Sequence, residues 1–242
     1  RLGYRLHPGA SQIRGASRNL MVLLPGHALA PDLRGILMDY PFFNELLAGV
    51  EHAAFDLGLQ TTLSRVEQLD DLRLLLNGPV PAGVLVLGKH DVATLEALEP
   101  WAAPVVVVDD GDYFAQHPVS RLQDFSIDDV LLGDLAAEHL LALGHRHIAL
   151  LFGHLHHSAV HRDRLRGVRR ALTRYGLTLD PAWLIETDVT LQGAATAQPQ
   201  LSALYAQGAT AVLAMADILA MGCFHGLQRL GLAVPAQVSL LG

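Results

Sequence analysis

Residues 128–153 read DDVLLGDLAAEHLLALGHRHIALLFG and contain a helix pattern, a stop signal and a strand pattern in direct succession. Ile127 and Asp128 close a short strand, and apolar or partly apolar positions then recur at helical spacing. These positions are Leu131, Leu132, Leu135, Ala136, His139, Leu140 and Leu143. The spacing predicts one amphipathic helix with these side chains on its apolar face.

A glycine and a buried strand follow this helix. Gly144 stands where a left-handed helix cap is expected, and the basic run 145–147 lies just beyond the negative end of the helix dipole. Residues 148–152 are apolar without alternation, which is typical of a strand buried on both faces of a parallel sheet. The loop beginning at Gly153 is therefore predicted to lie at the carboxyl edge of that sheet, where open α/β proteins bind ligands.

The composition indicates a well-packed globular α/β protein with one unusual segment. The chain has 242 residues, of which 51% are hydrophobic and 17% charged, and these values exclude disordered and fibrous classes. The net charge of −7 argues against nucleic-acid binding by the body of the protein, because phosphate contacts need clustered Lys and Arg. Residues 1–18 contain four arginines and no acidic residue, which predicts an arm that contacts a polyanion.

Cysteine content and hydropathy restrict the compartment. The single cysteine, Cys223, excludes an internal disulfide and a cysteine-based metal cluster, and its apolar helical context predicts a buried, inert thiol. The sequence lacks a run of about 18 apolar residues and an apolar secretory signal. This favours a cytoplasmic protein, although a mature exported chain would also lack its signal.

Strand and helix patterns alternate along the chain, which implies right-handed βαβ units on parallel sheets. Predicted strands are 20–24, 59–63, 83–88, 104–108, 123–127, 148–152, 183–186, 211–215 and 238–241. Predicted helices are 43–57, 69–76, 92–98, 160–175, 193–207 and 218–230, besides the one that ends at Gly144. We therefore expect an arm (1–18), a first subdomain (19–127) and a second subdomain (128–242), with a ligand cleft between the two subdomains.

This organisation resembles the effector domain of the LacI/GalR bacterial repressors. The resemblance rests on LGHRHIAL (143–150), the Gly153 loop, Arg164 with Gly167, and then Ala171, Leu172, Gly176 and Leu177. It implies two doubly wound parallel-sheet subdomains of the periplasmic binding protein-like I type, a sugar or nucleoside-like effector, a homodimer, and operator DNA as a partner. It also implies a fragment, with the helix-turn-helix headpiece absent before Arg1 and the second subdomain incomplete at its C terminus.

The basic arm resembles the hinge of that family, which enters the DNA minor groove. Ile13 occupies the position of the apolar wedge, Arg14 follows it, and Ala10 matches the small residue at which two hinge helices pack. His7 replaces the usual Asn, and Gly9 weakens an isolated helix by ~1 kcal/mol relative to Ala. The alternative is a disordered basic linker.

In the first subdomain, the resemblance suggests aromatic and acidic effector contacts. Tyr40, Phe42 and Phe43 match an Asn-Pro-Phe-Phe motif whose rings stack on a sugar or base. Asp109 ends a predicted strand, where a carboxylate can accept sugar hydroxyls or a base N–H. The alternative for Phe42 and Phe43 is that one or both are core residues.

In the second subdomain, the candidates are one arginine and three acids. Arg164 matches the cleft arginine of the family, whose guanidinium donates a pair of hydrogen bonds to ligand oxygens. Asp217 follows the strand 211–215, and Asp188 lies in the 187–190 turn expected to supply a further contact. Asp128 ends the 123–127 strand and is equally suited to cap the following helix.

Four histidines cluster just after Gly153. They are His154, His156, His157 and His161. His157 and His161 are one helical turn apart, a spacing that can hold a metal, but no Glu stands between them as in HExxH. The cluster is predicted to be an exposed polar loop, with ligand or pH sensing and metal binding as the alternatives.

Catalytic signatures are absent from the sequence. It has no GxGxxG after a strand, no GxxxxGK[ST], no GxSxG and no paired Cys motif. We therefore expect a non-enzymatic, ligand-responsive transcriptional repressor without a cofactor or metal. A periplasmic-type sugar-binding protein for transport is the main alternative, which the basic arm argues against, and an α/β enzyme is the third.

Overall fold

The computed structural model describes residues 17–25, 41–156 and 158–242, which form two compact units. One unit contains residues 42–126 together with the first strand, and the other contains residues 127–242. The arm residues Ala10, Ile13 and Arg14, and also Tyr40 and His157, lie outside the described residues. No helix in the described ranges is long and apolar enough to cross a membrane.

The first unit is built on a parallel sheet with the strand order β2-β1-β3-β4-β5. Its strands are β1 (Asn19–Pro25), β2 (Gln60–Val66), β3 (Gly83–Leu87), β4 (Val105–Val108) and β5 (Gln123–Phe125). Its helices are α1 (Pro41–Asp56), α2 (Leu69–Leu76), α3 (Val92–Leu98) and α4 (Gly111–Gln116). Leu23, Val86 and Val107 of the three central strands are fully buried. Burial on both faces explains why these strands read as unbroken apolar runs.

The second unit repeats this plan with the strand order β7-β6-β8-β9, again parallel throughout. Its strands are β6 (Ile148–Phe152), β7 (Leu184–Glu186), β8 (Ala211–Ala214) and β9 (Ser239–Leu241). Its helices are α5 (Asp129–Ala142), α6 (Ala159–Arg174), α7 (Leu191–Thr196), α8 (Gln198–Ala206) and α9 (Asp217–Arg229). Leu150 packs in one core layer with α5 and α6, and Leu151 packs in the other with α7, α8 and α9. Two parallel-sheet α/β units are therefore confirmed.

The prediction for α5 was correct in position but wrong in orientation. Leu131, Leu135 and Leu143, which the spacing placed on the apolar face, are exposed. The buried residues are Asp129, Gly133, Asp134, Ala137, Leu140 and Leu141. The reason is that α5 packs through its small residues against α6, so that contact with a second helix determines its buried face.

Two further elements differ from the sequence prediction. The single helix expected over 193–207 is two helices, α7 and α8, which meet at Ala197. Pro199 follows in the first turn of α8, where its missing N–H costs nothing but where it cannot continue the preceding helix. The short helix α4 follows β4 directly and was not predicted.

The buried thiol is confirmed. Cys223 of α9 is fully buried in the apolar layer with α7 and α8. Burial raises the pKa of the Cys223 thiol to about 12, so the thiolate is not formed at neutral pH.

Candidate functional site

The carboxyl edge of the second sheet is the first place where predicted site residues lie together. Strands β6, β7 and β8 end at Phe152, Glu186 and Ala214, and because they are parallel their following loops lie along one edge. This is the edge at which open α/β sheets bind ligands.

Two glycines bring α5 and α6 into backbone contact beside this edge. A Cβ added at Gly133 would lie 1.9 Å from the carbonyl oxygen of Arg164, and one at Gly167 would lie 2.0 Å from the carbonyl oxygen of Val130. Neither position can hold a side chain unless the helices move apart. The glycine three residues after Arg164 is therefore required by packing, and the packing places Arg164 against the first turn of α5.

Arg164 is held in place by two groups. Its Nε donates to Oδ1 of Asp129 at 2.8 Å, and its Nη1 donates to the carbonyl oxygen of Met215, just after β8. Burial raises the pKa of Asp129, although the Arg164 guanidinium opposes that shift. Nη2 of Arg164 has no hydrogen-bond partner in the described part of the chain, and 23% of the side chain is exposed. Arg164 can therefore donate to a ligand oxygen from a fixed position.

His154 lies at the same edge between two carboxylates. Its Nδ1 is 2.9 Å from Oε1 of Glu186, the last residue of β7, and its Nε2 is 3.0 Å from Oδ1 of Asp188. The hydrogen bonds that His154 donates to Glu186 and Asp188 raise its pKa. Asp188 was a predicted contact, whereas Glu186 was not.

His161 contradicts the prediction of an exposed histidine loop. It is buried in the first turn of α6, where Ser158 caps the helix by accepting from the His161 N–H at 3.2 Å. A Cβ on Gly153 would lie 2.7 Å from Nε2 of His161, so the ring fills the space that this glycine leaves. Burial lowers the pKa of His161 to about 4. Among the described residues, no group of three His, Cys, Asp or Glu side chains is arranged to hold a metal ion.

The two other predicted site acids of this unit, Asp128 and Asp217, differ in whether their carboxylates already have partners. Asp128 is the N-cap of α5 and accepts from the N–H of Leu131 at 2.9 Å, so the capping alternative is the one realised in the structure. Asp217 is exposed at the first residue of α9, and its carboxylate forms no hydrogen bond or ion pair with the described residues. Asp217 is therefore open to a ligand, whereas Asp128 is already engaged.

The first unit presents its candidates at its own carboxyl edge. Phe42 is exposed, but Phe43 is a core residue, whose ring would meet a Cβ on Gly88 at 3.0 Å, so the core alternative holds for Phe43. Asp109 follows β4 with a left-handed φ of 67°. Such a φ is uncommon for a residue other than glycine, and strain of this kind is often found at functional sites.

Two buried polar residues at this edge were missed. Asp110, directly after Asp109, is buried and accepts from the His90 N–H at 3.2 Å, and burial raises the pKa of Asp110. His90 is itself buried in the loop after β3. An Asp-Asp pair occurs at 109–110 and again at 128–129. In both pairs the first acid was selected from sequence, and the second is the one that is buried.

Comparison with known proteins identifies relatives for both units. A periplasmic binding protein-like domain model matches residues 137–242. The HTH-type transcriptional repressor PurR of Photobacterium profundum is 30% identical over 209 residues, which are 84% of this chain and 60% of that protein. The ribose operon repressor of Haemophilus influenzae is 29% identical over 213 residues, with the same shares covered. The chain thus spans about 60% of the length of these curated relatives.

Solved structures of regulators have the same fold. A LacI-family regulator from Enterococcus faecium with bound ribose aligns with a TM-score of 0.71 and 26% identity, over 93% of this chain and 76% of that one. A CelR–cellobiose complex aligns with a TM-score of 0.75 and 23% identity, over 94% of this chain and 67% of that one. Together these matches support a LacI/GalR-family effector domain, to which the two α/β units correspond.

Proposed function

We propose that this chain is the effector-sensing part of a ligand-responsive transcriptional repressor. A small sugar or nucleoside-like molecule binds at the carboxyl edges of the parallel sheets and shifts the population of two conformations. The basic arm, with Ala10, Ile13 and Arg14, transmits this shift to operator DNA in a homodimer. The relatives named as repressors favour this function over transport.

The observation that carries the proposal is the fixed geometry of Arg164. Asp129 and the Met215 carbonyl engage two of its nitrogens, and Nη2 keeps its donors for a ligand. Because the Asp129 carboxylate compensates the guanidinium charge, the site offers an oriented donor rather than a net positive charge. Such a donor suits the hydroxyl and ring oxygens of a neutral sugar or nucleoside.

The other proposed contacts are hydrogen-bond acceptors and aromatic rings. Asp217 and Asp188 are exposed carboxylates at the edge of the second sheet, and each can accept hydroxyl protons. Tyr40, Phe42 and Asp109 are the proposed contacts from the first unit. Phe43 and Asp128 are left out, because the core and the α5 cap already occupy them.

A thermal-shift screen against ribose, cellobiose, sugar phosphates, purine nucleosides and free purines tests this proposal. We expect at least one of these ligands to raise Tm. Asp217→Asn and Arg164→Ala should each weaken binding about tenfold or more, a loss of about 1.4 kcal/mol. Arg164→Ala also leaves Asp129 buried without its partner, which costs about 1 to 3 kcal/mol of stability before any ligand is added. Asp217→Asn is therefore the cleaner variant.

Arg166→Ala is the matched control. Arg166 lies on the same helix as Arg164 but pairs with Asp163 at 3.2 Å on the solvent face. This variant should keep the full ligand-induced rise in Tm. Equal rises in Arg164→Ala, Asp217→Asn and Arg166→Ala would remove the proposed effector site.

A further inference from the structure

The imidazole of His154 connects two loops at the carboxyl edge of the second sheet. His154 belongs to the loop after β6, and its carboxylate partners Glu186 and Asp188 stand at and after the end of β7. We call these three side chains the clasp. Thr187 and Thr190 anchor the backbone around Asp188, since Thr187 Oγ1 donates to the Gly193 carbonyl at 2.8 Å and Thr190 caps α7.

The hydrogen-bond inventory fixes the protonation state of the clasp. A neutral imidazole has one N–H donor and one acceptor nitrogen, whereas the imidazolium has two donors. Ionised Glu186 and Asp188 can only accept, and each faces a different ring nitrogen of His154. Both contacts can therefore form at once only when His154 carries two protons. Loss of one proton turns one of the two hydrogen bonds into a repulsion between acceptors.

Other ionisable side chains follow in the same loop and in α6. His156 is two residues along the loop, and Arg162 of α6 donates through Nη1 to the Leu155 carbonyl at 2.6 Å. His161 and Arg164 are further along α6, and burial keeps His161 uncharged at neutral pH, with a pKa of about 4. The carboxylates of Glu186 and Asp188 contact the His154 ring directly and raise its pKa. The clasp therefore keeps a net negative charge in both protonation states.

We propose that His154 is a positioning residue that fixes the Asp188 side chain when protonated and releases it when neutral. Because threonines anchor the flanking backbone, release frees the carboxylate rather than the strand end. The consequence for ligands rests on the proposed function: an effector that donates to Asp188 meets an oriented acceptor only while the clasp is closed. Effector affinity then falls as pH rises through the His154 transition.

An NMR titration of the histidine ring protons, without effector, tests the clasp separately from the proposed function. Loss of one signal in His154→Gln assigns the resonance. We expect a pKa above the ordinary 6.5, a lower pKa in Glu186→Gln and in Asp188→Asn, and a return to about 6.5 in the double variant. Glu138→Gln is the matched control, because Glu138 pairs with Arg174 at the C-terminal end of α6 and should leave the His154 pKa unchanged.

Two outcomes overturn the proposal. One is a His154 pKa at or below 6.5 in the unmodified chain, since the closed clasp requires the imidazolium. The other is a His154 pKa that the double variant leaves unchanged, since the carboxylates would then not hold the proton. Either result leaves the thermal-shift test of Arg164 and Asp217 unaffected.

Discussion

The carboxyl edge of the second sheet carries two groups of oppositely charged side chains. We call the group that is largely buried the buried half and the group that is open to solvent the exposed half. In the buried half, Asp129 and Arg164 have side chains exposed by 9% and 23%, and α5 and α6 touch through their backbones beneath them. In the exposed half, the clasp residues His154, Glu186 and Asp188 are exposed by 45%, 37% and 76%. An exposed pair is screened by water and gives little stability. We therefore propose that the buried half provides a constant ligand donor, whereas the exposed half responds to protons.

The largest predicted effect is on the packing of α5 against α6, the two helices that carry Asp129 and Arg164. Gly167→Ala places a Cβ against the carbonyl oxygen of Val130 and the amide nitrogen of Asp134, both backbone atoms that cannot move alone. The helices must separate, and we expect a loss of about 3 kcal/mol in the free energy of unfolding, measured in urea. The separation also weakens the contact between Asp129 and Arg164.

Gly226→Ala is the matched control for this prediction. Gly226 lies in α9 of the same unit, and the nearest atom to an added Cβ is 4.0 Å away. Alanine in a helix interior is better than glycine by about 0.8 to 1 kcal/mol, so this variant should gain stability. If Gly167→Ala and Gly226→Ala have equal stability, the close approach of α5 and α6 is not what supports Arg164.

The next prediction compares how protonation of His161 and of His154 changes the stability of the protein with pH. Burial lowers the pKa of His161 from 6.5 to about 4, so the folded protein favours the neutral ring. The stability that this gives is present above pH 6.5 and is lost as pH falls to about 4, by at most about 3 kcal/mol. His154 has the opposite sign, because its raised pKa gives stability that is present at low pH and lost as pH rises through its transition.

Urea unfolding between pH 7.5 and 4 measures this contrast. His161→Leu should lose less stability on acidification than the unmodified chain, since leucine cannot be protonated. His154→Gln should instead remove a stabilising contribution at acid pH. Parallel pH profiles for His161→Leu and the unmodified chain would contradict the burial of a neutral ring.

The smallest predicted effect is that of substitutions at Asp128, the N-cap of α5. Asp128→Ala removes the N-cap and should cost about 1 kcal/mol, whereas Asp128→Ser, which keeps a capping oxygen, should cost a few tenths. Chemical denaturation at pH 7 measures both. Ligand-induced stabilisation should survive in Asp128→Ser. Its loss there would return Asp128 to the group of effector contacts.

The local sequence patterns predicted the strands and most of the helices correctly. An unbroken run such as 148–152 is typical of a strand buried on both faces, and in the structure it is an inner strand of a parallel sheet. The helix before Gly144 was also located, but its orientation was not. Leucines at helical spacing indicate a face, whereas Gly133 determines which face packs, because only a glycine admits the neighbouring backbone.

The sequence pointed to Arg164 of the candidate site but missed three of the acidic residues that the structure places at the sheet edges. Arg164 was selected by its spacing to Gly167, and the structure gives that spacing a packing reason. Asp129 and Asp110 were passed over for their neighbours, since adjacent identical acids carry no local signal of which one is buried. Glu186 was missed because its partner His154 lies 32 residues away in the chain.

The sequence by itself determined the two parallel α/β units, the positions of the strand ends and the resemblance to the LacI/GalR family, because these depend on local periodicity and short motifs. The tertiary structure alone decided which face of α5 is buried, which acid of each pair meets a partner, and which histidine has a lowered pKa and which a raised one. These properties depend on contacts between distant segments, and the close packing of backbones and the supply of hydrogen-bond acceptors at those contacts are set only when the units fold.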